Sequence, residues 1–512
     1  MPVPRLPSPS LETLAASTGA YVSDLLTPTL RLGVTGLARS GKTVFITALV
    51  RNLVSGGRLP FLSSDAEGRI ESACLEPQPD DSVPRFDYEA HLSSLERDPA
   101  EWPDSTRRIS ELRVTITFKA ASRWRRALGI RRLHIDIVDY PGEWLIDLAM
   151  LDQDFKAWSQ EALTLAREPS REEAAKPFLS FLAGLTQTST ADEQTALEGA
   201  KLFTAYLKAA REKESVSTLG PGRFLLPGDL EGSPLLTFFP LDGMSLAARG
   251  TPAAHGAPAA HSAPAASRSL AAMLGRRFES YKSHAVRPFF KDHFARLDRQ
   301  VVLVDVLSQL NGGPGAVADL ERALAGVLKA FRPGLNSWLS VITGRRIDKL
   351  LFAATKADHL HHQSHDRLEA ILRLITDRAS ARAEGAGTEV GVMAIAALRA
   401  TREVEARDGA ALLGCLKGVP MAGERVGGRV FDGREEAVLF PGELPADPAA
   451  ALGGKALDGA AAGADRMSLP DAAFIRFRPP RLTPADAGGS VKAAPHIRLD
   501  RALDFLIGDW LV

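Results

Sequence analysis

Two cysteines in a chain of 512 residues are too few for a disulfide framework, and Cys74 and Cys415 lack the spacing of metal ligands. Charge of one sign is not in excess either. The 62 basic residues balance 62 acidic ones, which argues against bulk electrostatic binding to nucleic acid. No apolar run approaches the length of a membrane-spanning helix. The start of the chain carries Pro2, Pro4, Pro7 and Pro9 instead of the continuous apolar stretch of a signal peptide, so a cytoplasmic location is expected. What is present is a hydrophobic fraction of 45%, on a length that can bury a large core and fold as two or three units.

The most informative segment is Leu30 to Thr43, an alternating strand that runs into Gly36, four residues, and Gly41-Lys42-Thr43. This is the spacing of a phosphate-binding P-loop. Glycines at Gly36 and Gly41 let backbone N–H groups, including those of Ala38, Arg39 and Ser40, turn inward onto phosphate oxygens where a β-carbon would crowd them. Lys42 is placed to reach the β- and γ-phosphates, and the Thr43 hydroxyl is the expected Mg²⁺ ligand. From Val44 the chain continues as a largely apolar helix, whose positive end would face the phosphates.

Two further motifs follow in order. Arg132–Val138 alternates as a half-buried strand and ends in Asp139-Tyr140-Pro141-Gly142. Asp139 is expected to hold Mg²⁺ through water, and the Gly142 N–H to touch the γ-phosphate, so that its presence or loss moves the next segment. Farther on, an apolar strand from Lys349 ends in Thr355-Lys356-Ala357-Asp358. The Asp358 carboxylate can accept two hydrogen bonds from guanine, whereas adenine has no N1–H to offer; Lys356 would lie along the base and ribose. A last strand, Val390 to Ala394, leads into Ala396-Ala397-Leu398, a weak match to the loop that backs the guanine oxygen with backbone N–H.

In this order the motifs resemble those of a G-domain GTPase. More narrowly, residues 36–47, Asp139-Tyr140-Pro141-Gly142-Glu143-Trp144 and Phe440-Pro441-Gly442-Glu443-Leu444-Pro445 resemble the YcjX-like family of bacterial stress-associated P-loop GTPases. The resemblance extends from about the N-terminal helix to the C-terminus. It implies a cytoplasmic protein that binds GTP and GDP, is linked to envelope-stress operons, and has poorly defined partners, an unidentified protein effector among them.

The fold class expected on this basis is α/β, a P-loop NTPase G-domain with a mixed, mostly parallel sheet flanked by helices. An N-terminal helix over 1–29 precedes it. The G-domain spans 30–150 and 298–400, a helical insertion occupies 151–297 with a disordered Ala/Pro/His linker at 251–266, and a C-terminal α+β subdomain covers 401–512. An insertion at this place would lie behind Gly142, so nucleotide state could move it.

Several roles remain open at this level. Thr106 is the candidate switch threonine for Mg²⁺, with Ser105 its rival. Glu143, where a water-orienting glutamine is common, is a candidate base that the γ-phosphate charge would repel. Arg39 occupies the place of the internal arginine of guanylate-binding large GTPases and is a candidate arginine finger in cis, with a homodimer folding it inward. Asp305, after the apolar run Val301 to Val304, is a minor metal candidate. Arg123, Trp124, Arg125 and Arg126 at a hairpin tip suit an anionic membrane surface, with a solvated tip as the alternative. His255 and His261 in the linker are weak metal candidates.

Overall fold

The structure is a computed structural model and describes residues 27–36, 39–57, 59–105, 108–121, 131–185, 189–212, 219–241, 269–329, 347–385, 387–409, 411–426, 428–452, 474–484 and 492–512. The expected N-terminal helix, the 251–266 linker with its histidines, Ala38, Thr106 and the Arg123–Arg126 cluster all lie outside these residues, apart from the last residues before 30.

The centre is a seven-stranded sheet. In chain order its strands are β1 (Thr29–Gly36), β2 (Ile70–Glu76), β3 (Ser110–Phe118), β4 (Arg131–Asp139), β5 (Arg299–Val304), β6 (Lys349–Ala354) and β7 (Glu389–Ala394). Their spatial order is β2-β3-β4-β1-β5-β6-β7. Strands β4, β1, β5, β6 and β7 run parallel, and β2 and β3 complete one side antiparallel. This is the mixed, mostly parallel sheet of an α/β P-loop GTPase fold, as the motif order predicts. Strand β2 was not foreseen, because Ile70-Glu71-Ser72-Ala73 lacks a clean apolar face and sits half-exposed at the sheet edge.

The central strands are buried on both faces, which is why they read as continuous apolar runs. In β5, Val301 and Leu303 enter one core and Val302 and Val304 the other. The first core includes Leu30, Leu32 and Val34 of β1, packed beneath α1 (Lys42–Val54) through Phe45, Ile46, Leu49 and Val50. A short helix α2 (Tyr88–Glu96) packs on α1.

Between β4 and β5 lies the helical insertion. It begins with α3 (Glu143–Leu148) and continues through α4 (Phe155–Ala166), α5 (Glu172–Ala183), α6 (Glu193–Glu212) and α7 (Leu270–Tyr281). Its own core is aromatic, with Trp158, Phe178, Phe203, Phe238, Phe278 and Tyr281 all buried. Its last helical stretch is not continuous: α7 passes into one π turn, Lys282–Val286, and then Arg287–Asp292. Pro288, which has no N–H to donate, sits in the first turn of that last piece.

After β5, α8 (Pro314–Lys329) packs against α3, and α9 (His365–Gly385) covers β6 and β7. The chain beyond residue 400 divides between two neighbourhoods. An antiparallel pair, β8 (Arg402–Asp408) and β9 (Ala411–Gly418), joins Ala437–Leu439 in a small separate sheet. The last helix, α10 (Leu499–Ile507), instead returns to the main sheet and buries Leu499, Leu503, Leu506 and Ile507 in the core shared with β1 and α1. Arg51 of α1, almost wholly buried, ties the same return by donating to the carbonyls of Lys492 and Thr483 and to Glu96 at 2.9 Å. No helix among the described residues is long and apolar enough to cross a membrane.

Truncating Leu503, 1% exposed, removes the middle of this contact. Leu503→Ala is expected to cost about 2–5 kcal/mol, seen as a lower urea midpoint, whereas Leu412→Ala on the exposed face of β9 should change the midpoint little.

Candidate nucleotide-binding site

All the sequence motifs emerge at the carboxyl ends of parallel strands, the edge at which open α/β sheets bind ligands. The register explains this. Val34 pairs with Asp139, Gly36 with Leu303, Val304 with Ala354, and Ala354 with Ala394. Each strand therefore reaches the same edge within a residue or two.

At the P-loop the backbone is what the spacing requires. Arg39 has φ 64° and Gly41 φ 83°; the Gly41 side has open space, so the left-handed conformation rather than crowding selects glycine there. Gly36 is different: a β-carbon on it would lie 2.1 Å from Ser40 Oγ and 2.9 Å from the Leu303 carbonyl. Gly41 caps α1 without a side-chain hydrogen bond. That end presents N–H groups and the positive helix pole. Thr43 is buried and its carbonyl accepts from Thr47 Oγ1 at 2.8 Å.

Lys42 Nζ donates to Oδ1 of Asp139, with the two side chains 10% and 1% exposed. The other carboxylate oxygen, Oδ2, and Ser40 Oγ are buried without a hydrogen-bond partner. Such orphaned oxygens carry a desolvation cost that a ligand relieves. The arrangement fits a Mg²⁺-bound nucleoside triphosphate. Lys42 stands where negative charge is to be met, Thr43 and Asp139 could hold the metal, and Gly36 leaves the cradle open. Ser105 is exposed. His91 of α2, which carries no sequence motif, lies within electrostatic reach of Asp87, Asp139, Asp104 and Lys42; burial holds its imidazole below the usual range. No motif marks it, since a lone histidine on a helix carries no local signature.

Gly142 starts α3 with helical backbone, φ −63° and ψ −27°. Everything after it is anchored in the insertion. Glu143 is buried and paired with Arg211 of α6 at 2.8 Å. Trp144 donates from Nε1 to the Leu226 carbonyl at 3.1 Å, and the Arg223 guanidinium lies 3.3 Å from the centre of its ring. Asp147 accepts from the Tyr281 hydroxyl at 2.5 Å and from the Gly222 N–H at 2.6 Å. Burial pushes the Asp147 carboxyl up to about 6, against these two donors. The only sequence signal for this was spacing, since Glu143 and Asp147 lie one turn apart on α3.

At the base-recognition end Lys356 adopts φ 62° and its Nζ meets Asp305. Asp305 also caps the following helix by accepting from the Ser308 N–H, so it orients Lys356 and stays away from the phosphate edge chemistry of Asp139. The Thr355 N–H donates to the Val304 carbonyl. Asp358 is buried, and its Oδ2 accepts from the Ala400 N–H at 2.7 Å. Burial pushes its carboxyl up to about 6, opposed by that N–H, and drives the adjacent His359 imidazole down to about 3.

The fourth loop is tied from an unexpected direction. The Ala396 N–H donates to the Ile497 carbonyl and the Ala396 carbonyl accepts from the Ile497 N–H, in a bridge to the segment before α10. Ala396 is thus committed within the protein, and a contact to a base falls to Ala397 and Leu398. Leu398 belongs to a small apolar cluster with Leu95, Leu482 and Ala494, against which Val44 of the P-loop helix packs, so the two loops share one cluster.

A family model described as the YcjX-like family, DUF463, matches residues 30–511. The chain belongs to this family. A relative named Ras-like GTPase YcjX, from Escherichia coli, is 38% identical over 490 residues, covering 94% of this chain and 96% of that one. A second of the same name, from Shewanella oneidensis, is 34% identical over 507 residues, 94% of each chain.

If Asp358 is the guanine acceptor, as the Thr-Lys-Ala-Asp spacing leads one to expect, proton uptake at its raised carboxyl, about 6, competes with the nucleotide. A raised carboxyl is protonated below that value and ionised above it. GDP affinity should therefore be flat well above about 6 and fall by up to roughly tenfold per unit below it. Calorimetry across this range should show the step in the wild type and none in Asp358→Asn.

Proposed function

We propose that this member of the YcjX-like family binds GTP and hydrolyses it to GDP and phosphate as a regulatory switch, with the helical insertion as the part that responds. The observation that carries the reading is the pair Lys42 and Asp139 at the sheet edge, one glycine-started helix away from the insertion. The names of the two relatives support the GTPase activity.

Lys42 neutralises charge on the β- and γ-phosphates as it leaves Asp139, and the P-loop N–H groups orient them in line for attack by water. Thr43 and Asp139 would hold Mg²⁺, which when bound would supply neutralisation of the phosphate charge. On this reading the Gly142 N–H follows the γ-phosphate. Any shift of Gly142 must be carried by α3, whose Glu143, Trp144 and Asp147 are all held by the insertion. Arg39 is the candidate to place positive charge over the transition state.

A second reading, a nucleotide-gated scaffold with little turnover, is favoured by one observation. Glu143 is engaged by Arg211, which removes it from the work of activating water and makes it a tether of α3.

Calorimetry with GTP, GDP and ATP in the presence of Mg²⁺, together with phosphate release, separates these outcomes. Guanine-selective binding is expected, with Lys42→Ala weakening GTP by roughly 10- to 100-fold through loss of a charged contact. Equal binding of ATP would overturn the guanine assignment. Turnover abolished in Arg39→Ala with GDP binding retained identifies the cis finger; tight binding with no phosphate release selects the scaffold.

Hydrogen exchange tests the coupling. Amides of α3 and α7 are expected to exchange at different rates in the GDP form and in the form with a non-hydrolysable GTP analogue. Tyr281→Phe, which removes one donor from Asp147, should reduce the difference on α7 and lower stability by about 1–3 kcal/mol.

A further inference from the structure

Three residues after Asp358, the chain presents His361 and His362 side by side, their ring centres 4.2 Å apart. Across from them, Glu403 near the start of β8 points one carboxylate oxygen, Oε2, at both rings. It is 2.7 Å from Nδ1 of His362 and 3.8 Å from Nε2 of His361. One ligand atom from each of the three lies within 4.8 Å of the others. Tetrahedral coordination needs separations of roughly 3.3 Å, a change that small side-chain rotations supply.

Two details mark this as more than a surface ion pair. The His361 side chain is 13% exposed and lies against Gly414 of β9, where a β-carbon would fall 2.8 Å from its ring. Yet its Nδ1 is buried without a hydrogen-bond partner among the described residues, and its Nε2 stands 3.8 Å from Glu403. A buried imidazole with so little polar contact is costly. In addition, the remaining oxygen of Glu403, Oε1, lies 3.6 Å from Arg399. The carboxylate is thereby turned with Oε2 toward the histidines, as outer partners orient a metal-binding carboxylate.

We propose that His361, His362 and Glu403 form a transition-metal site of the Zn²⁺ class, with two imidazoles, one carboxylate and an open fourth position. The same two stretches of chain already meet twice. Asp358 accepts from the Ala400 N–H, and the Thr401 hydroxyl donates to the Asp358 carbonyl. A bound cation adds a third tie, clipping the base-recognition turn to β8. This consequence rests on Asp358 recognising guanine; the metal site does not. Where the clip holds Asp358 in place, metal and nucleotide strengthen each other's binding by the same factor.

The test is titration of the full chain, without nucleotide and with excess Mg²⁺ to saturate the P-loop, using Zn²⁺ by calorimetry and Co²⁺ by its visible absorption. One equivalent is expected to bind, with the absorption of a four-coordinate Co²⁺ ion. His362→Ala and Glu403→Gln each should weaken binding at least about tenfold. His362 is exposed, so its variant keeps the fold, as circular dichroism would check, even where His361→Ala loosens the packing on Gly414. Binding of equal strength in both variants, or no binding above that of Mg²⁺, overturns the site. GDP affinity measured with and without Zn²⁺ then tests the clip: a severalfold gain in the wild type, absent in Glu403→Gln, supports it, and no gain overturns it. A chain that takes up Zn²⁺ as expected but binds no guanine nucleotide overturns the nucleotide reading and leaves the metal site standing.

Discussion

The parallel pairing of β1 with β4, in the register that sets Val34 beside Asp139, is the constraint on which the site depends. A slip of two residues would keep every apolar side chain on its face and still carry Asp139 away from the P-loop. With the register as it stands, Lys42 and Asp139 meet in a water-poor pocket and neutralise each other. Two such charges buried apart would each be costly, so the contact stabilises both while leaving Asp139 Oδ2 without a partner. A ligand that brings phosphate to Lys42 and a cation to Asp139 replaces the contact instead of adding to it.

The insertion is built around α3, and this is what distinguishes the molecule from a plain G-domain. Six residues link a glycine at the phosphate edge to an aromatic core of its own. Gly222 approaches so closely that a β-carbon would stand 2.3 Å from the Glu143 carbonyl. Close-packed contact of this kind transmits displacement because it cannot absorb it. The buried Arg171–Asp319 pair joins the insertion to α8 on the far side, so α3 is held from both flanks.

The last part of the chain closes the site from the other end. The bridge between Ala396 and Ile497 and the seating of α10 against β1 mean that the base loop is shaped by residues about a hundred positions later. The small sheet of β8 and β9 contributes Glu403 to the same corner, and Thr401 just before β8 joins it there.

Much of this was legible in the linear sequence, and the reason is local. A P-loop needs glycine where backbone must curl or pass close, lysine and a hydroxyl at a set distance, and a strand and helix on either side. Those demands fall on neighbouring residues, so Gly36, Gly41, Lys42 and Thr43 stand out as candidates from spacing, Asp139, Gly142, Lys356 and Asp358 stand out as candidates from short motifs at later strand ends, and the apolar runs of β5 and β6 announce strands buried on both faces. The half-exposed β2 and the break after Tyr281 were not so announced, because neither follows a clean periodicity. What tertiary structure alone decided was the partner of each polar group: Arg211 for Glu143, Tyr281 for Asp147, Asp305 for Lys356, Ile497 for Ala396, Glu403 for the two histidines. Partners lying 134 residues apart, as Tyr281 and Asp147 do, leave no periodic trace. Hydrogen bonds and ion pairs between buried groups are selected by which surfaces come into contact, and only the packed chain determines that.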